Sequence, residues 1–134
     1  MNEFFSLDAS TGILNWKQVV NSSLRPSIVN DFIFTVSEEG FLIVIDSKSG
    51  KIIRSTDLFD KFKIKKRKKI KPTGFVLGSK KLYLSTSTGR LLIVDIETGK
   101  TQSIIKIDSE KISRPIILKQ SLFVVKNNSV IKLN

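Results

Sequence analysis

Short runs of β-branched and aromatic residues alternate with turn signals along the whole chain. Phe32–Val36, then Ser37-Glu-Glu-Gly40, then Phe41–Ile45 reads as strand, tight turn, strand. Lys81–Thr86, a turn to Gly89 and Arg90–Val94 repeat that pattern. Leu122–Val125, a turn at Asn127-Asn128 and Ser129–Leu133 do so again. Gly and Asn at the turns supply the positive φ that tight hairpins require. No stretch of useful length has a helical period, so the pattern predicts an all-β chain.

The hairpins belong to a longer repeat. Phe5-Ser-Leu-Asp8-Ala-Ser-Thr-Gly12, Val44-Ile-Asp46-Ser-Lys-Ser-Gly50 and Ile93-Val-Asp95-Ile-Glu-Thr-Gly99 each run from an apolar strand through Asp to Ser or Thr and then Gly. The Asp-to-Asp spacings are 38 and 49. Arg25-Pro26, Lys71-Pro72 and Arg114-Pro115 recur at Pro-to-Pro spacings of 46 and 43. Gly40 and Gly89 each precede their Asp by six residues, and Asn128 precedes Asn134 by the same distance. In such a turn the Asp carboxylate accepts a turn amide and Gly takes the left-handed position, so Asp8, Asp46, Asp95, Gly12, Gly50 and Gly99 read as structural.

Strands are expected near 27–30, 32–36, 41–45 and 51–56, and again near 73–77, 81–86, 90–94 and 100–106. Four antiparallel strands at a period of ~40–45 residues is the arithmetic of a β-propeller blade. The fold class expected is therefore a partial β-propeller of four-stranded antiparallel blades. Residues 25–58 and 71–107 form two complete blades. Residues 1–20 end a preceding blade, and 113–134 start a closing one. Because a closed ring needs at least about four blades, the 134 residues are expected to be the C-terminal portion of a larger propeller, with self-assembly of two or three chains as the alternative.

Asp8-Ala-Ser-Thr-Gly12-Ile-Leu-Asn-Trp16 resembles the tryptophan-docking repeat of the quinoprotein-like (PQQ-like repeat) β-propellers, whose pattern is roughly Asp-x-x-Thr-Gly-Lys-x-x-x-Trp. The later copies keep Gly50-Lys51 and Gly99-Lys100, but Arg54 and Ser103 stand where Trp would. One branch of that family comprises quinone-dependent dehydrogenases, to which the resemblance attaches calcium-coordinating acids, a quinone-stacking Trp and often a vicinal disulfide. None of these can be placed here, since there is no Cys and the single Trp sits at the docking position. The resemblance therefore points to the scaffold branch, which includes the propeller lipoprotein of the outer-membrane β-barrel assembly machinery.

Composition narrows the chemistry further. With no Cys and no His, disulfides, thiol nucleophiles, Cys/His zinc sites and His-based triads are excluded. The net charge is +11, yet eight of the 23 cations lie in Lys61-Phe-Lys-Ile-Lys-Lys-Arg-Lys-Lys-Ile-Lys71 and the remainder nearly balance. This run is an insertion: Gly50 to Pro72 spans 22 residues against 14 and 16 for its counterparts. It reads first as a solvated connection between blades. As a partner-binding candidate, Lys65, Lys66, Arg67, Lys68 and Lys69 could contact an anionic polymer or lipid. Seven of the eight cations are Lys, which suits diffuse attraction and not specific nucleic-acid recognition. Glu38-Glu39 reads as a solvated turn, and Arg54 either packs between blades or projects to a partner.

The expected function is a non-catalytic scaffold making protein–protein contacts with no cofactor or metal. Its expected partners are envelope assembly machinery and the remaining blades of the same protein. The resemblance implies a place on the periplasmic side of the outer membrane, although this chain contains no signal-type segment and no Cys to take a lipid. The alternatives are part of a quinone-dependent dehydrogenase, or a basic propeller acting through residues 61–71.

Overall fold

The computed structural model describes residues 2–133, so Asn134 of the six-residue spacing lies outside the described residues. Thirteen strands and one helical turn follow in chain order. They are β1 (Glu3–Leu7), β2 (Leu14–Val19), β3 (Ser27–Val29), β4 (Phe32–Val36), β5 (Phe41–Asp46), β6 (Ile52–Asp57), α1 (Ile64–Arg67), β7 (Pro72–Leu77), β8 (Lys81–Thr86), β9 (Arg90–Asp95), β10 (Thr101–Lys106), β11 (Ile116–Leu118), β12 (Ser121–Lys126) and β13 (Ser129–Leu133).

Neighbours in sequence are neighbours in space, and every pairing is antiparallel. β1-β2 form a two-stranded sheet, β3-β4-β5-β6 and β7-β8-β9-β10 four-stranded sheets, and β11-β12-β13 a three-stranded sheet. The protein is all-β, a partial propeller with two complete blades flanked by two partial ones. Each last pairing slips register next to the Asp turn, at Ser6/Leu7, Val44/Ile45 and Thr101/Ser103. The repeat thus extends to this slip, while β7-β8 carries one of its own at Pro72/Gly74.

Stacking of the sheets explains the hydrophobic pattern. β4 and β5 lie in the middle of a blade covered on both faces, so residues 33–36 and 42–45 are all buried. A strand buried on both faces shows an unbroken apolar run, not alternation. β1, with a neighbouring sheet on one side, alternates instead: Phe4 and Ser6 are half-buried while Glu3, Phe5 and Leu7 are exposed. The core forms two clusters between sheets. Trp16 and Val20 pack with Ile33, Ile43 and Ile45, joining the first sheet to the second. Phe34, Val36, Leu42 and Val44 pack with Leu82, Leu84, Leu92 and Val94, joining the second to the third.

The 61–71 run departs from the sequence reading. It holds a helical turn at residues 64–67, and its ends are anchored, not solvated. Leu58 and Phe59 are fully buried, Ile70 is buried, and Phe62 meets Phe59 edge-on at 5.6 Å. Phe62 and Ile70 interleave with the Lys residues, so the charge count concealed them.

Candidate functional site

The repeated Asp turn is a self-contained hydrogen-bond unit. Asp8 Oδ1 accepts the backbone N–H of Ser10 and of Thr11, each at 2.9 Å, and both hydroxyls. Asp46 accepts the Ser49 hydroxyl at 2.6 Å, and Asp95 accepts the N–H of Glu97 at 2.8 Å and of Thr98 at 3.1 Å. In all three turns the Gly amide closes onto the Asp carbonyl at 2.8 Å, with Gly12, Gly50 and Gly99 at φ between 72° and 75°. Such acceptor bonds favour the charged carboxylate. The Thr11 amide holds the Asp8 carboxyl below its ordinary range, the Ser49 hydroxyl does so for Asp46, and the Thr98 amide for Asp95. A depressed carboxyl contributes stability above its unfolded value of ~3.9 and loses that contribution as the pH falls through the folded value. The urea midpoint is therefore expected to drop below about pH 4, and Asp46→Asn to flatten part of that drop. A midpoint unchanged between neutral and strongly acidic pH would contradict the assignment.

Each turn is also a receptor for the blade before it. Trp16 donates from Nε1 to the Ser47 carbonyl at 2.8 Å, and Gln18 donates to the Gly50 carbonyl at 3.0 Å. The indole lies so close over Gly50 that a Cβ there would sit 2.5 Å from Trp16 Cδ2. Phe4 stacks on its other side, with ring centroids 6.2 Å apart.

Arg54, eight residues after Asp46 as Trp16 is after Asp8, reaches the next turn in the same way. Its guanidinium donates to the carbonyls of Ile96 and Glu97, and Ile96 follows Asp95 as Ser47 follows Asp46. Arg54 thus packs between blades, and Thr56 takes the place over Gly99. Its Nε is buried without a hydrogen-bond partner among the described residues. Ser103, third in this series, is exposed on β10.

The remaining repeat glycines are packing positions. Gly40, at φ 90°, lies against the Phe59 ring, and Gly89, at φ 75°, against the backbone of residues 108–110. Glu38 and Glu39 are not simply solvated. Glu38 accepts from the Ser23 hydroxyl and Glu39 from the Asn21 amide at 2.7 Å, which ties the turn to the connection between β2 and β3.

The basic candidates divide into two groups. Lys65, Lys66, Lys68 and Lys69 are exposed, whereas Arg67 is half-buried and paired with Asp57. The sequence contained a hint of this: the one Arg in a Lys run has the planar fork that suits a fixed carboxylate. Among the described residues, no three acidic side chains gather where they could hold a metal ion. The single Trp is committed to Ser47 and Phe4, so the residues present do not fit a quinone site.

Comparison with known proteins agrees with this geometry. The family model described as outer membrane protein assembly factor BamB matches residues 1–56. No curated protein matches the chain in sequence. BamB from Moraxella catarrhalis superposes with a TM-score of 0.74 at 13% identity, covering 97% of this chain and 36% of that one. The computationally designed protein Ika4 superposes at 0.71 with 12% identity, over 96% of this chain and 77% of its own. The quinohemoprotein alcohol dehydrogenase ADHIIG from Pseudomonas putida HK5 reaches 0.61 at 16% identity, over 80% and 17%. The chain thus spans about a third of the length of the BamB it matches. It has the fold of the quinoprotein-like, PQQ-like-repeat β-propellers and resembles the outer membrane protein assembly factor BamB.

Proposed function

We propose that the chain is a non-catalytic propeller scaffold that makes protein–protein contacts during outer-membrane protein assembly, on the periplasmic side of that membrane. The observation that carries this reading is the match of residues 1–56 to the outer membrane protein assembly factor family. The chemistry is compatible with it: Asp8, Asp46 and Asp95 direct their acceptors into their own turns, and Trp16 is occupied by docking.

In this reading residues 1–20, 25–58, 71–107 and 113–134 are successive blades or parts of blades, and further blades stack on the end sheets. The Asp8–Gly12 turn supports that extension. Among the described residues nothing covers Gly12, although Gly50 and Gly99 are covered by the preceding blade. Beside it Phe5, Leu7, Ile13 and Leu14 are exposed.

Photo-crosslinking in cells that make the protein tests the reading. A photoreactive residue at Lys48 or Thr98 probes one end of the blades, and one at Lys61 or Ser109 the other. Adducts with a component of the β-barrel assembly machinery, concentrated at one end, are expected. Adducts from neither end would sink the proposal. Titration with quinone and calcium is expected to give no heat, whereas saturable heat would favour the dehydrogenase reading.

A further inference from the structure

The insertion between β6 and β7 has features that a connection between blades does not need. Its counterparts join the corresponding strands of the other blades with five to seven fewer residues. It is also fixed in place: Phe62 rests on the buried Phe59, Ile70 is buried, and Arg67 pairs with Asp57. With Phe62, Arg67 and Ile70 turned inward, Ile64, Lys65, Lys68 and Lys69 are left facing outward. Ile64 is 76% exposed, more than any other large apolar side chain in the described chain.

The lysines around it lack neutralising partners. Among the described residues the ion pairs are Arg67–Asp57 and Lys126–Asp108, so no Lys of the insertion is in one. Of the acids beside the insertion, Asp57 pairs with Arg67, Asp60 stands next to Lys61 in an exposed position, and Glu38 and Glu39 are held by Ser23 and Asn21 and lie towards Lys68 and Lys71. On the other flank Lys66, Lys69 and Arg90 rim a cleft of about 250 Å³ floored by Phe62 and Ile70.

We infer that the inserted loop docks on an anionic lipid surface, with Ile64 entering the boundary between headgroups and acyl chains. Lys65, Lys66, Lys68 and Lys69 face the lipid phosphates, and the cleft at Arg90 takes one headgroup. A projecting aliphatic side chain within a fan of lysines suits a fluid array of phosphates, which meets diffuse charge without demanding fixed geometry. An acidic protein face or a nucleic acid is better matched by Arg forks or aromatic platforms. Here the one Arg of the run is turned to Asp57 and the one nearby ring, Phe62, packs on Phe59. The inference stands on this loop alone and does not depend on the scaffold's protein partners.

Co-sedimentation of the 134-residue chain with phosphatidylcholine vesicles, with and without phosphatidylglycerol, tests it. Partitioning at least about a hundredfold stronger onto the anionic vesicles is expected, most of that preference being lost in the K65Q/K66Q/K68Q/K69Q variant. Ile64→Asn is expected to weaken it about five- to tenfold without altering binding to a DNA duplex or to polyglutamate. These side chains are exposed, so thermal midpoints should match the parent. Ile64→Trp supplies an independent readout, a blue-shifted emission with anionic vesicles only. Equal partitioning onto neutral and anionic vesicles overturns the inference. So does vesicle binding indifferent to Ile64→Asn, or an Ile64→Trp emission unmoved by anionic vesicles.

Discussion

Trp16→Ala is expected to lower stability by about 3–5 kcal/mol, the range for truncating a buried aromatic residue, and to free the first sheet from the second. Trp16 is 8% exposed and holds three contacts at once. Its ring lies over Gly50, its Nε1 donates to Ser47, and its other side stacks on Phe4. An alanine would leave a cavity bounded by Val20, Ile33, Ile43 and Ile45, which strands on two sides hold open. Since this cluster is the apolar tie between the two sheets, hydrogen exchange should speed up across residues 3–19 while 32–57 keep their protection. Trp16→Phe separates the contributions: it keeps much of the apolar area and loses the bond to Ser47, at about 1–2 kcal/mol. A Trp16→Ala loss below about 1 kcal/mol, with residues 3–19 still protected, would show that the docking contact does not hold the sheets together.

The second docking position shows what could and could not be read from sequence. The turns were legible because Asp and Gly are needed locally: the carboxylate meets amides two and three residues on, and Gly takes a left-handed φ. Strand positions were legible because a blade buried on both faces writes an unbroken apolar run. Arg54 was different. The repeat put it at the Trp position, but its choice between packing and projecting lies in two carbonyls more than forty residues away, visible only when one blade is laid on the next. The insertion was misread for a related reason. A helical turn over residues 64–67 is too short to show a period, and the anchors Leu58, Phe59, Phe62 and Ile70 find their partners across the blades. Lys119 and Gln120, both at positive φ in the turn between β11 and β12, carry no turn signature at all. There the strand pairing imposes a backbone that the residues do not prefer.

Gly89→Ala is expected to be the most damaging single-methyl change in the chain, at about 2–5 kcal/mol, because left-handed strain and overpacking against backbone act together. Gly12→Ala is its control. Both glycines have φ near 75°, but a Cβ on Gly12 meets nothing within 4 Å. It should therefore show the left-handed strain alone, about 1–2 kcal/mol. At Gly89 the new methyl would run into the Asp108 carbonyl and lie 2.6 Å from that of Glu110. Backbone cannot swing aside as a flexible side chain can. The Gly89 carbonyl also accepts the amides of Ile107 and Asp108, so displacing this segment breaks the bonds that seat it. The segment leads to Ile112, which is fully buried and whose carbonyl accepts the Thr73 hydroxyl at 2.9 Å. Damage at Gly89 should thus spread to the junction of the third and fourth sheets, with early loss of amide protection over residues 107–126. Urea unfolding of the two variants side by side decides the matter. Equal losses at Gly12 and Gly89 would mean that the loop yields freely and that φ alone selects glycine at both turns.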